Sequence, residues 1–583
     1  MGVHKAAPVL LVCFLLCLSS VAAITAKPAT STKAVTPTPT TAAITFVEPT
    51  SEAEIIKIVS DAYNARSLVR VVGSNHSWAD VVIDNTPAKK RVLISLENYS
   101  GVTVDKKTNI AVVKAGTHIG DHAHSAKGVA VDRKVTLIHE LEKYGYGLPV
   151  LAGIQHQSVG GFLSTGAAGG SVKRSLLDAV VKIALIDGCG KKQVYAPPQK
   201  EFYAAGVSLG LLGVVTEVHL RLDYKLYNIS GSEVACPVTP LSQNNSLGSP
   251  IDFFGPGKTG YPSLLQFFTG NTNDGARVQW YPQKLFNRIQ IYQWKQAALP
   301  AKTPLSPFVI FGGATGADAV AIQEQVAGGL QFLNAANDES PEFYEQAAGI
   351  LDQFVPFERQ TFYDVYYNSV SPDNGISDTI LPVVISEFWF PLEKLPNILA
   401  TLKTYYAKNG YNATGATSVE IYTGKKSLFY LGPSYNTDVV RLNYVWPSVN
   451  TIGTPQAWFQ QFWDLLKPFE PRFHWGKVLP SYYKGAYLTK SYPKLADFLK
   501  VRQDLDPRQV FVTNYWRNIL GIPAATVGKR DLGDDQGAVR EPDAFGVGQE
   551  GVYPDLQDSP ILNKEAQENT EYRDGDLNEA VVA

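Results

Sequence analysis

The chain has 583 residues, 45% of them hydrophobic and 18% charged, with 52 Lys plus Arg against 54 Asp plus Glu and a formal charge of −2. Such a length exceeds one compact core and predicts two folded units plus tails. The near-neutral balance offers no basic field for a phosphate backbone, so nucleic acid is excluded as an expected partner.

In chain order, His4 and Lys5 precede an apolar run from Ala7 to Leu18 and small residues ending Val21-Ala22-Ala23, the pattern of an export leader over residues 1–23. The run is shorter than the ~20 residues of a bilayer crossing, so no membrane attachment is expected after cleavage; an uncleaved anchor is the alternative. Residues 24–44 are mostly Thr, Pro, Ala and Lys, bury too little to offset chain entropy, and read as a flexible stalk. Export, to the extracellular space or an endomembrane lumen, makes the sequons at Asn98, Asn228, Asn244 and Asn412 expected sites of surface glycans. Cys13 and Cys17 lie in the leader, leaving Cys189 and Cys236, which either bridge or stand as two buried thiols; no metal site is expected from their spacing.

Order begins at Ser51 and Glu54, a capping-box pattern ahead of Ile55, Ile56, Val59 and Ala62 at helical spacing. A short strand, Val69 to Val72, follows. Further strands are expected at Arg91–Leu96, Ala111–Ala115, Ala179–Ile186 and Val215–Leu222, giving a mixed α+β first domain over residues 45–225. From about Tyr227 aromatic, Gln and Asn residues increase, with helices suggested near 318–335 and 393–408, and residues 226–466 read as a second domain built around a sheet. Residues 467–525 return to a helix-and-motif texture ending Asp506-Pro507-Arg508-Gln509-Val510-Phe511. Residues 526–583 form an acidic tail, with fourteen Asp and Glu against three Lys and Arg from 531 onward.

Two segments suggest chemistry. Gly73-Ser74-Asn75-His76-Ser77-Trp78 follows the strand ending at Val72; such small residues let backbone N–H groups converge on an anion, although a Gly-Ser-Asn turn is more often only a turn. Ser158-Val159-Gly160-Gly161-Phe162-Leu163-Ser164-Thr165-Gly166-Ala167-Ala168-Gly169-Gly170 has almost no bulk, which permits close approach of backbone to a ligand at an entropic cost a structural loop has little reason to bear. It is neither a P-loop nor a G-x-G-x-x-G turn.

With Gly210-Leu211-Leu212-Gly213-Val214-Val215-Thr216, Gln279-Trp280-Tyr281-Pro282 and His474-Trp475-Gly476-Lys477, these segments resemble the vanillyl-alcohol-oxidase superfamily, and within it the arabinonolactone, gulonolactone and alditol oxidases, over roughly residues 47–520. The resemblance implies a PCMH-type FAD-binding domain of two α/β subdomains, with a sheet-based substrate domain inserted before the C-terminal segment returns. It implies FAD contacts at Val72, Gly73, Ser74, Asn75, His76, Ser77, Ser158, Gly160, Gly161, Thr165, Gly166, Gly169, Val215 and Lys477, and an 8α-histidyl flavin link on His76. In a buried cofactor loop, the Asn75 sequon should carry no glycan.

Catalysis is expected from Glu420, Lys477 and Ser158: Glu420 orienting or deprotonating a substrate hydroxyl, Lys477 stabilising negative charge, and Ser158 placing a hydroxyl near the reacting end of the flavin. The family's Glu-x-Arg pair reads here Glu420-Ile421-Tyr422, so a carboxylate without an adjacent guanidinium is expected, with Tyr422 as a stacking surface for a sugar ring. Two strands later, Asn443 and Val445 take polar positions of the alditol oxidases. The small residue that controls oxygen access in related enzymes falls at Ala152, beside Gly153: Gly there favours oxidases and Ala dehydrogenases. The expected activity is oxidation of a sugar, polyol or aldonolactone CH–OH group with O2 as acceptor. A dehydrogenase with another acceptor and a catalytically silent flavin-fold module are the alternatives.

Overall fold

The computed structural model describes residues 44–525 except 85, 87–89, 122–134, 240–247, 284–286, 298–302, 311–315, 335–354, 356, 377–379, 415–417, 449 and 451–452. All of these belong to the first of two compact units, Met1–Ala525 and Thr526–Ala583. The leader, most of the stalk, the acidic tail and the Asn244 sequon fall outside the described residues.

Two small sheets form the first part. Strands β1 (Ile44–Val47), β2 (Leu68–Val72) and β3 (Arg91–Ser95) pair in parallel in the order β1-β3-β2. A parallel arrangement needs a crossover, and the helix Glu52–Ala65 supplies it between β1 and β2. Ser51 caps that helix by accepting from the Glu54 N–H at 3.3 Å, and Ile55, Val59 and Ala62 form its buried face. The reciprocal bond of the expected capping box falls one residue early, since the Glu54 carboxylate accepts from the Thr50 N–H at 2.7 Å. Strands β4 (Val102–Asp105), β5 (Ile110–Lys114), β7 (Val180–Ile186), β8 (Lys192–Tyr195) and β9 (Val214–Arg221) form an antiparallel sheet in the order β4-β5-β9-β7-β8. The pair β6 (Tyr146–Gly147) and β10 (Tyr224–Lys225) lies outside both sheets.

One antiparallel sheet of eight strands organises the second part: β11 (Asn228–Pro237), β12 (Gly275–Tyr281), β13 (Arg288–Ala297), β14 (Arg359–Val365), β15 (Val383–Pro391), β16 (Val419–Gly424), β17 (Val439–Pro447) and β18 (Arg472–Phe473). Their order is β14-β11-β13-β12-β16-β17-β15-β18. The long helices occupy Gly316–Asn334 and Leu395–Thr414, close to their expected places.

The C-terminal segment returns to the first sheet. Val69 N–H donates to Val510 O at 2.8 Å. Arg70, only 4% exposed, donates to five main-chain carbonyls, those of Val81, Val82, Leu209, Gly210 and Phe511, at 2.7 to 3.1 Å. Asp506 holds the turn that presents Phe511, accepting from the Val510 and Phe511 N–H groups at 2.8 and 3.0 Å.

Two expectations are corrected, and of the two alternatives for the cysteines the unbridged one is found. Asn228 opens β11 and is 4% exposed, so its side chain is structural rather than a surface glycan site. Cys189 and Cys236 are both free thiols. The Asn443 strand is not two strands after Glu420 but the next one, paired directly with it.

Candidate active site

Beyond Val72 the chain turns sharply at Asn75, whose φ of 59° is left-handed, the kind of bend that a concave run of N–H groups requires. The turn is pinned from below: Ser74 Oγ donates to His156 O at 2.6 Å and accepts from the Ser158 N–H at 3.2 Å. A Cβ on Gly73 would lie 2.7 Å from Ser158 Oγ, so only glycine lets the loop meet the start of the helix Val159–Thr165. Ser158 is the cap of that helix, its hydroxyl accepting from the Gly161 N–H at 3.2 Å. A Cβ on Gly160 would come within 3.0 Å of Ala115 Cβ.

His76 lies ring-to-ring with His156, centroids 4.5 Å apart. The His-Trp-Gly-Lys turn, some 400 residues away in sequence, closes on the same loop: Trp78 N–H donates to Gly476 O at 2.8 Å, and a Cβ on Gly476 would be 3.0 Å from Ser77 Oγ. Gly73, Ser74, His76, Ser77, Ser158, Gly160, Gly161 and the Lys477 turn are therefore brought together. Thr165 and Gly166 sit at the other end of the helix, with Thr165 Oγ1 bonded to Gly161 O and Gly166 as the left-handed cap. Val72 and Val215 are buried strand residues. Asn75 is exposed, so the burial expected to block its glycosylation does not hold.

The other half of the site is a two-rung polar face on the large sheet. Side chains alternate along strands, so register decides which residues share a face. One rung runs Gln279, Glu420, Asn443, Glu387 across β12, β16, β17 and β15; the next runs Arg277, Tyr422, Arg441, Trp389. Glu420 accepts from Gln279 Nε2 at 3.0 Å, from Asn443 Nδ2 at 3.0 Å and from the Tyr422 hydroxyl. Burial, reinforced by the Glu420 charge, pushes the Tyr422 phenol well above its ordinary range, so it stays a donor.

The sequence expectation of a carboxylate with no guanidinium nearby is overturned, because Arg277 Nη1 lies 3.8 Å from Glu420 Oε1. Cross-strand register places it there, which spacing within one strand does not reveal. Nor is the Tyr422 ring a free stacking surface, since the Arg441 guanidinium lies 4.8 Å from its centroid and 4.6 Å from that of Trp389.

Arg441 joins the two halves. It pairs with Glu387 at 2.7 Å and donates to Ala168 O at 2.8 Å, which docks the glycine-rich segment on the sheet. Ala276 N–H donates to Gly170 O at 3.0 Å beside it. Burial opposes the charge of Glu387, yet Arg441, with His474 and Lys477, holds its carboxyl below the usual range. His474 is pushed down to about 4 by burial and by the charges of Lys477 and Arg441, against the pull of Glu387, and is neutral at neutral pH. Ala152 O accepts from Ser371 Oγ at 2.8 Å, and Gly153 O from Asp373 N–H at 3.0 Å.

Sequence reasoning missed Arg277, Asp373, Arg441 and Glu387. For Arg277 and Arg441 the signal was present as polar residues two apart within apolar, aromatic strands, Arg277 with Gln279 and Arg441 with Asn443.

Residues 43–132 match the model of an FAD binding domain, and residues 350–519 that of D-arabinono-1,4-lactone oxidase. These matches show a flavin-dependent oxidoreductase similar to the aldonolactone and alditol oxidases. Among relatives in this group, an alditol oxidase of a Streptomyces species is 25% identical, the match covering 77% of this chain and 89% of the relative. An L-gulono-1,4-lactone dehydrogenase of Mycobacterium tuberculosis is 23% identical over 82% and 96%. The crystal structure of cholesterol oxidase from B. sterolicum superposes with a TM-score of 0.59 at 15% identity, covering 82% of this chain and 94% of that one, and shows a shared fold. The residues that would hold the group's FAD are the histidine-bearing turn of Gly73, Ser74 and His76 and the start of the glycine-rich helix at Ser158, which Gly73 and the Ser74 hydroxyl allow to pack together.

Proposed function

We propose that this protein oxidises the CH–OH group of a neutral sugar, polyol or aldonolactone, with O2 as the final acceptor and H2O2 as the product, and that His76 carries the flavin covalently. FAD, when bound, supplies the two-electron acceptor for the hydride leaving the substrate carbon. Glu420 orients the reacting hydroxyl and takes its proton, its carboxylate already fixed by Gln279, Asn443 and Tyr422. Asn443 Oδ1 is buried with no hydrogen-bond partner among the described residues, an acceptor suited to a second hydroxyl. Lys477 adds positive charge to the turn against the His76 loop, and Ser158 sets a hydroxyl at its edge.

Neutrality of the substrate follows from the cluster: Arg277, Arg441 and Lys477 are matched by Asp373, Glu387 and Glu420, which leaves no excess charge to attract an ion. The observation that carries the reading is the docking of the glycine-rich segment, through Arg441, onto the face that holds Glu420. Export and glycosylation at the exposed Asn98 belong to the same proposal.

The test begins with the absorption spectrum of purified protein before and after acid precipitation. Yellow colour is expected in the wild-type pellet and not in that of His76→Ala; colour left in the wild-type supernatant refutes the covalent link. Polyols, aldoses and lactones are then screened for bleaching, with peroxide release compared against dye reduction. Dye reduction without peroxide replaces the oxidase reading with a dehydrogenase, and no bleaching by any of them refutes the function.

A further inference from the structure

Arg277 has no place in the chemistry described so far, yet its surroundings are built with care. Its side chain is 11% exposed and lies between two carboxylates, bonded to Asp373 at 2.5 Å and facing Glu420 at 3.8 Å. Burial opposes its charge, but Asp373 and Glu420 together push its pKa up, so the guanidinium is charged at every working pH. Burial in turn raises the Asp373 carboxyl, against the pull of Arg277. A buried cation held this way by two acids costs desolvation that a merely structural apolar residue would not incur.

Asp373 is itself anchored on the segment that precedes Ser158. Its N–H donates to Gly153 O at 3.0 Å, and the neighbouring Asn374 Oδ1 accepts from the Gln155 N–H at 2.8 Å. A Cβ on Gly153 would stand 2.5 Å from Asp373 Oδ2, so the backbone passes directly over the carboxylate. A continuous path therefore runs from the turn preceding Ser158, through Asp373 and Arg277, to Glu420.

The geometry points to Arg277, steered by Asp373, as the positioning residue that keeps the Glu420 carboxylate aimed at the substrate hydroxyl. This rests on the proposed function of Glu420. Tyr422 is the direct register partner of Arg277 on the next strand, so the guanidinium reaches the Glu420 carboxylate from across the sheet rather than from its own strand. The guanidinium faces the Oε1 edge of the carboxylate, and withdrawing it removes one of the contacts that fix the orientation of the base.

The experiment compares Arg277→Met, Arg277→Lys, Asp373→Asn and the relocation pair Arg277→Met with Tyr422→Arg in flavin-loaded enzyme. Arg277→Met is expected to lower kcat/KM by roughly 100-fold, mainly through kcat with KM little changed, at unchanged flavin content. Lys at 277 restores the charge without the fork and should recover part of the loss. Asp373→Asn leaves the cation but loosens it, and should fall between. Moving the guanidinium to position 422 should recover at least about tenfold, since both positions flank the same carboxylate.

Arg277→Met with wild-type kcat and KM overturns the inference. So does a variant that loses flavin or melts early while kcat per bound flavin stays at the wild-type value, because that is a structural role alone. A relocation variant that folds, binds flavin and recovers nothing also counts against it. If the wild type is bleached by no sugar, polyol or lactone, the proposed function falls and this inference with it; an active wild type with an indifferent Arg277→Met removes the inference only.

Discussion

Arg70 and His474 show how much of the site depends on single buried ionisable groups. All five N–H groups of Arg70 are spent on carbonyls from three separate segments, and burial lowers its pKa to about 10 without removing the charge at neutral pH. Arg70→Met strands those acceptors and is expected to cost about 3 kcal/mol in urea unfolding, whereas a loss under about 1 kcal/mol would mean water replaces the guanidinium. For His474 the folded pKa of about 4 lies below the ordinary histidine value of 6.5, so the unfolded chain binds the extra proton between those limits. Its contribution is therefore complete above pH 6.5 and is lost as pH falls toward 4, roughly 3 kcal/mol in all. Melting temperatures across that window should drop steeply for the wild type and more gently for His474→Gln; parallel curves would show that other groups dominate.

Among elements, the glycine-rich segment is the least tolerant. A Cβ on Gly169 would lie 2.4 Å from Val150 Cγ2 and 2.5 Å from Leu151 O, and the carbonyl belongs to backbone that has nowhere to go. Gly169→Ala should cost about 1–3 kcal/mol by overpacking and reduce the flavin that co-purifies, read by absorbance; normal occupancy and stability would show that the segment shifts freely. Elements of this kind were legible in the sequence because their causes are local. The strands ending at Val72 and Ile186, the helix capped by Ser51 and the small-residue cradle all announce themselves within a dozen positions. The rung of Gln279, Glu420, Asn443 and Glu387 does not, because it joins four strands spread over more than 160 residues. Glu420 was found from its strand motif, but its guanidinium was sought at 422 and stands at 277, a matter of register that no single strand encodes.

At the scale of the whole chain, the site exists only because distant segments are clamped together, and Arg441 is the clamp between the sheet and the cradle. It satisfies Glu387, which is 3% exposed, and the carbonyls of Ala168 and Gly169 at once. Removing one partner of such a buried pair leaves an uncompensated charge, which costs about 3–5 kcal/mol, whereas removing both charges costs far less. Arg441→Met alone should therefore destabilise strongly and release the glycine-rich segment, seen as faster proteolysis near residue 168 and lower flavin content. Adding Glu387→Gln should return much of the stability, because no naked carboxylate remains, but not the flavin content, because the carbonyls still lack their donor. A double-mutant cycle that is merely additive, or a double variant that regains flavin along with stability, would separate the ion pair from the docking and show that the cradle is held by contacts other than Arg441.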